Sequence, residues 1–195
     1  MNRERGAVLI IALIFLLLLT IVAITSSSRS LIQERLAGAL RNAQQAEWSA
    51  ETALRGVEWR IFSGDTTLGC YNSSTPALVS AKATTFRTAS TWVTDGGTEY
   101  KGIGGGVDYT ATPTDTTLST AVLAANPWYI VESLGQDRTP SNNTSTAKEI
   151  GSGGSTTANF YLYRITARAT GGSPNTIRVV ESTFVTPNQL TCTLS

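Results

Sequence analysis

Histidine is absent from the chain. Its absence removes imidazole-based acid–base catalysis and the commonest protein ligand for transition metals. Charge is scarce as well. Only 15% of residues are charged and the formal net charge is +1, which leaves no electrostatic basis for binding nucleic acid. Cysteine is limited to Cys70 and Cys192. In an exported chain such a pair reads first as a disulfide, with two unrelated thiols as the alternative.

One stretch lacks charge altogether. The 18 residues from 7 to 24 contain no ionisable side chain, and Thr20 is their only polar one. At about 1.5 Å per residue a helix of this length spans ~27 Å, close to the hydrocarbon thickness of a bilayer. Arg3 and Arg5 precede it, so the first residues should stay cytoplasmic and the rest should be exported. A cleaved secretory signal and a plain membrane anchor are the two general readings. A secretory signal has a shorter apolar core and a small-residue cleavage site, which Ala23-Ile24-Thr25 matches poorly.

Helical character continues past the apolar run. Residues 25–30 contain neither Pro nor Gly. Beyond them Leu36, Leu40, Ala43, Ala46, Ala50, Leu54, Val57 and Ile61 recur at spacings of three and four, the signature of one helix stripe. Arg41, Gln45, Ser49 and Arg55 occupy the opposite side. Gly38 and Gly56 each cost roughly 1 kcal/mol relative to Ala in a helix interior. Ser63-Gly64-Asp65 supplies a stop. The sum is one helix of about 55 residues, ~80 Å long, with a lipid-like half and an amphipathic half.

Without the first 24 residues about 170 remain, enough for one domain with a core. Short strand-like pieces occur at 77–79, 91–94 and around 107–112, and 118–125 has the pattern of a short helix. Three longer strand-like runs follow at 128–134, 160–169 and 176–185. In the second, Tyr161, Tyr163, Ile165, Ala167 and Ala169 share one face, and Leu162, Arg164, Thr166 and Arg168 share the other. Gly171-Gly172-Ser173-Pro174-Asn175 joins the last two runs as a hairpin loop, and 135–159 forms a polar excursion. An apolar sheet face and an apolar helix stripe in one small domain should pack together. The pattern predicts an α+β fold, a helix laid across an antiparallel sheet of at least three strands.

Few residues suggest chemistry. The glycine-rich loop at 102–106 lacks the preceding strand and following helix of a phosphate cradle. Asp95, Asp108 and Asp115 match no calcium-loop spacing. A membrane-anchored enzyme would need Lys82, Lys101 or Lys148 as a base, or the carboxylates Glu132, Asp137 and Glu181 in pairs. Solvated or ion-paired surface groups explain these residues more simply. Trp92, Tyr100, Tyr109 and Trp128 raise a sugar-binding alternative, although aromatics in strands are usually core. The sequence offers no catalytic residue, no metal site and no cofactor motif.

A family resemblance brings these parts together. The basic leader ending in Gly6 against the apolar run resembles the class III signal of type IV pilins and pseudopilins. Arg5-Gly6-Ala7-Val8-Leu9-Ile10, Gln33-Glu34-Arg35-Leu36-Ala37-Gly38, Ala46-Glu47 and Ala50-Glu51-Thr52-Ala53-Leu54-Arg55 look like the N-terminal region of PilX-type minor pilins. Tyr163 to Ala169 and Val179 to Phe184 are similar to the end of that family. The resemblance implies the type IV pilin fold, with a cytoplasmic leader (1–6), a transmembrane half (7–24) and an amphipathic half (25–63) of the spine helix, and a periplasmic β-rich head (64–195). It implies cleavage by the prepilin peptidase between Gly6 and Ala7 and N-methylation of Ala7. Most pilins carry glutamate at the fifth mature position; here that position is Ile11. PilX-type pilins and the K-type pseudopilins of type II secretion share this omission. The implied role is a non-enzymatic minor pilin that primes pilus assembly, sits at or near the tip, and supports twitching motility and adhesion. Implied partners are other minor pilins, the major pilin, the peptidase, a large tip adhesin and inner-membrane lipid before assembly. A K-type pseudopilin is the alternative, but this chain has no room for the large helical insertion usual there.

Overall fold

The computed structural model describes residues 4–65, 67–111, 122–137 and 159–194. The expected long helix is a single element, α1 (Glu4–Phe62, 59 residues). No proline occurs before Pro76, so nothing removes a backbone donor along its length. Thr20 and Thr25 donate back to the carbonyls of Leu17 and Val22 at 2.8 and 3.0 Å, which satisfies their hydroxyls within the helix. The stop is a Schellman motif. Gly64 takes φ +80°, its N–H donates to Ile61 at 3.1 Å, and Asp65 N–H donates to Arg60 at 3.0 Å.

The chain divides into two compact units, residues 1–41 and 42–195. In the first, every side chain described from residue 8 onward is exposed, Leu36 and Leu40 included. The second unit holds a five-stranded sheet: β1 (Tyr71–Asn72), β2 (Thr98–Glu99), β3 (Trp128–Asp137), β4 (Phe160–Thr170) and β5 (Ile177–Thr186). The order is β1-β3-β4-β5, and β2 also pairs with β3. Strands β3, β4 and β5 form the expected antiparallel meander. β1 runs parallel to β3 beside Glu132 and Ser133, and β2 runs antiparallel beside Trp128 and Tyr129.

The helix stripe and the alternating strands meet as the two periodicities require. Ala53, Leu54, Val57 and Ile61 of α1 share a core with Tyr129, Val131, Tyr163, Ile165 and Ala167. The stripe is buried from Ala46 onward. The opposite sheet face is covered too. A second helix, α2 (Ala81–Thr88), places Ala83 and Phe86 against Tyr71, Ile130 and Trp128.

Four local expectations are corrected. Residues 77 and 78 belong to a 3-10 turn, Pro76–Leu78, because proline pre-sets the turn and lacks an N–H, and Val79 follows it without joining a strand. Residues 91–94 form no strand, and neither do 107–111; residue 112 lies outside the described residues. Residues 122–125 are not helical, and 118–121 lie outside the described residues, as do Asp115, Lys148 and most of the excursion.

Candidate assembly surface

The apolar run occupies the start of α1 and is bare. Its mean hydropathy reaches 3.3 with no part of it buried. Gly6 and Ala7 lie within α1. Ile10 and Ile11 are 62% and 54% exposed, so the position where a carboxylate would stand opens outward from the helix. One such helix, long and apolar enough to cross a membrane, is found among the described residues.

In the second unit the ends of the chain are pinned. Cys70 and Cys192 form a disulfide across 122 residues. Leu194 N–H donates to the Cys70 carbonyl at 3.2 Å and bridges Tyr71, so the C-terminal residues lie against β1. The bend after α1 is held by Asp65. Its carboxylate accepts from the Thr67 hydroxyl and N–H at 2.6 and 2.9 Å and from Arg60 Nε at 2.8 Å. The Thr67 bonds first, with Arg60 in support, hold its pKa down to about 2.

The candidate acid–base residues serve the fold. Glu132 is fully buried. Ser73 donates to its Oε1 at 3.0 Å, and Arg87 and Arg164 approach its Oε2 at 3.3 and 3.7 Å. Glu181 accepts from Arg164 Nε at 3.4 Å. This cluster ties α2, β3, β4 and β5 together, and both carboxylates are already spent on guanidinium groups. Lys101 pairs with Glu99 at 3.2 Å. Asp108 caps its own turn, accepting from Thr110 N–H and Oγ1 at 2.9 and 2.7 Å. Asp95 and Asp108 belong to no metal-competent cluster among the described residues. Tyr100 is 4% exposed, stacked on Tyr109 at 6.2 Å and edge-on to Tyr129 at 6.4 Å, so it is core rather than a sugar platform. Trp128 packs against the second core.

Arg168 went unforeseen. Its place on the polar side of β4 suggests solvent, yet it is fully buried. Nη1 donates to the Phe86 carbonyl at 2.6 Å, and Nη2 donates to the carbonyls of Ala89 and Thr91. The guanidinium lies 5.5 Å from the Phe86 ring centroid and lowers its pKa through burial. It satisfies the open carbonyls at the C-terminal end of α2 and complements that end of the helix dipole.

A second feature missed by the pattern lies on the other side of α1. Trp48, Trp59 and Phe62 are exposed there. Trp48 and Trp59, with Thr52, Arg55 and Ile103, border an open groove of about 690 Å³. The large apolar residues at 48, 59 and 62 are visible in the sequence but fall outside the stripe that faces the sheet.

Two family models match the chain. The model of the type IV pilus assembly protein PilX C-terminal region matches residues 62–186, and the PilX N-terminal model matches residues 5–55. No curated protein and no solved structure matches it.

Proposed function

The chain belongs to the PilX family of type IV pilus assembly proteins, a minor pilin and a structural component, and from that premise we propose that it primes pilus assembly and occupies a place at or near the tip. Before assembly, residues 7–24 anchor it in the inner membrane with residues 25–195 in the periplasm. The prepilin peptidase removes residues 1–6 after Gly6 and methylates Ala7. In the filament it contacts other minor pilins and the major pilin, and its head offers a seat for a large adhesin. Twitching and adhesion follow from the filament it starts.

Ile11 carries the tip assignment. A carboxylate in hydrocarbon is costly unless paired. An ordinary pilin relieves that cost by docking its glutamate on the terminal amine of the subunit ahead. This chain has no such carboxylate between 7 and 24, so nothing drives it to seek a subunit ahead. Its own amine at Ala7 still offers a partner to the subunit behind. That asymmetry suits a first subunit.

Comparing Ile11→Glu with Ile10→Glu tests the reading. Both add one carboxylate to an exposed apolar helix, so a generic membrane cost is shared. Immunogold labelling of sheared pili should find the wild type and the Ile10 variant at filament ends, with the Ile11 variant entering the shaft. Equal behaviour of the variants, or wild-type label along the shaft, overturns the tip assignment.

A further inference from the structure

Trp48, Trp59 and Phe62 are 67%, 55% and 61% exposed. Tryptophan and phenylalanine rarely stand bare in a group, and such patches mark interaction sites. These three do not scatter. Positions 48, 52, 55, 59 and 62 alternate steps of four and three, which keeps them on one seam of α1 and repeats the spacing of helix–helix packing. The Trp59 and Phe62 rings lie 6.0 Å apart. Ile103, 58% exposed, adds a wall from the loop at 102–106. The floor is set by Gly56, whose missing side chain lets the buried Tyr100 ring lie against the helix.

The flanks of the seam differ. One side carries Glu47 and Glu51, both exposed, and Glu58. Arg55 on the seam pairs with Glu58 at 2.8 Å and is also attracted to Glu51, and three carboxylates against one guanidinium leave the flank net acidic. Helical spacing puts Gln45, Ser49 and Gly56 on the other side, and they are neutral. A second copy of the chain is therefore a poor occupant. Packed antiparallel, it sets glutamates on glutamates; packed parallel, it sets them on neutral residues. A helix with lysine or arginine beside its apolar stripe complements the flank, and those cations also reach the indole faces.

We propose that this seam docks an amphipathic α-helix of a different chain, with its aliphatic stripe in the Trp48–Trp59 groove and its basic flank against Glu47 and Glu51. The proposal rests on the chain being a pilus subunit, but not on its position along the filament.

Photo-crosslinking in pilus-producing cells tests it. A benzophenone maleimide is attached to Thr52→Cys in the full chain, and separately to Arg55→Cys; the native cysteines are paired, so the new thiol is unique. Thr183→Cys, exposed on β5, is the control. Peptide mapping should place the adducts of both seam probes on a Lys/Arg-bearing amphipathic segment of a different chain. Adding Trp48→Ala with Trp59→Ala should cut the yield at least tenfold, and so should Glu47→Lys with Glu51→Lys, with thermal melting unchanged. Adducts with a second copy, adducts on non-helical segments, no adducts, a yield matching the control, or indifference to those substitutions would overturn the proposal. Surface pili scored in the same cells keep this outcome separate from assembly itself.

Discussion

Gly56→Ala should destabilise the protein although it improves helix propensity. An alanine Cβ at 56 would fall 2.5 Å from Tyr100 Cζ and 2.7 Å from Cε2, and closer still to its hydroxyl oxygen. Tyr100 cannot swing away cheaply, since it is 4% exposed and wedged between Tyr109 and Tyr129. Overpacking of this kind costs about 1–3 kcal/mol, and full expulsion of the ring would approach the ~3–5 kcal/mol of a large aromatic deletion. Against this stands a gain of roughly 1 kcal/mol in helix propensity. The clash wins by about 2 kcal/mol, a fall of roughly 4–8 °C in melting temperature for a chain of this size. Gly38→Ala is the internal control. Its added Cβ meets nothing within 4 Å, so the same exchange should leave the midpoint unchanged or raise it. Tyr100→Phe removes the nearest atom and should restore part of the loss in a double-mutant cycle. Thermal unfolding of the full chain in detergent reads all five proteins. A Gly56→Ala midpoint at or above wild type, or equal effects at 38 and 56, would refute the argument.

Mass spectrometry of the mature protein should find N-methylated Ala7 as its first residue; a start near Ser26 would mean a secretory signal instead. Replacing Cys70 and Cys192 by serine should cost stability. The loop of 122 residues sets an upper estimate of ~4–5 kcal/mol in the chain-entropy model, and an unchanged denaturant midpoint would contradict it. Asp65 has a folded pKa of about 2, below its ordinary value near 3.9. The stability it contributes should therefore be complete above about pH 4 and vanish as pH falls through about 2. The gap between wild type and Asp65→Asn, followed by denaturant titration across that window, should close on acidification; a gap that widens fails the test.

The elements that the sequence reveals are those whose own pattern is complete. β3, β4 and β5 are runs of ten or eleven residues rich in β-branched and aromatic side chains, and the α1 stripe keeps its spacing through Ile61. Leu36 and Leu40 continue it, yet both are exposed, because a pattern identifies an apolar face and not what covers it. β1 and β2 have two residues each, too few to alternate. α2 contains three threonines in eight residues and is a weak helix by propensity. It persists through Phe86 in the second core and through Arg168, which reaches it from about eighty positions away. The same separation hides the burial of Arg168 and Glu132, since each is polar in its own strand and satisfied only by distant partners. The cysteine pair was legible as a chemical type in one dimension. The tryptophan seam was not, because no local rule distinguishes an aromatic that packs inward from one left for a partner.

The disulfide also sets the mechanical load path. Cys70 follows α1 closely, and Cys192 almost ends the chain. Between them lie α2 and all five strands. A pull applied between α1 and the C-terminal residues runs through 63–70, crosses the sulfur–sulfur bond and leaves by 193–195. The disulfide is a covalent bypass, and the segment it encloses carries no tension along its backbone. The oxidised subunit is therefore stiff in that direction, and its extension ends within a few residues. Reduction would redirect the same force through β3, β4 and β5, which would then unzip. Single-molecule pulling should record a short contour length before reductant and a much longer one after it, so that one bond separates an inextensible filament component from an extensible one.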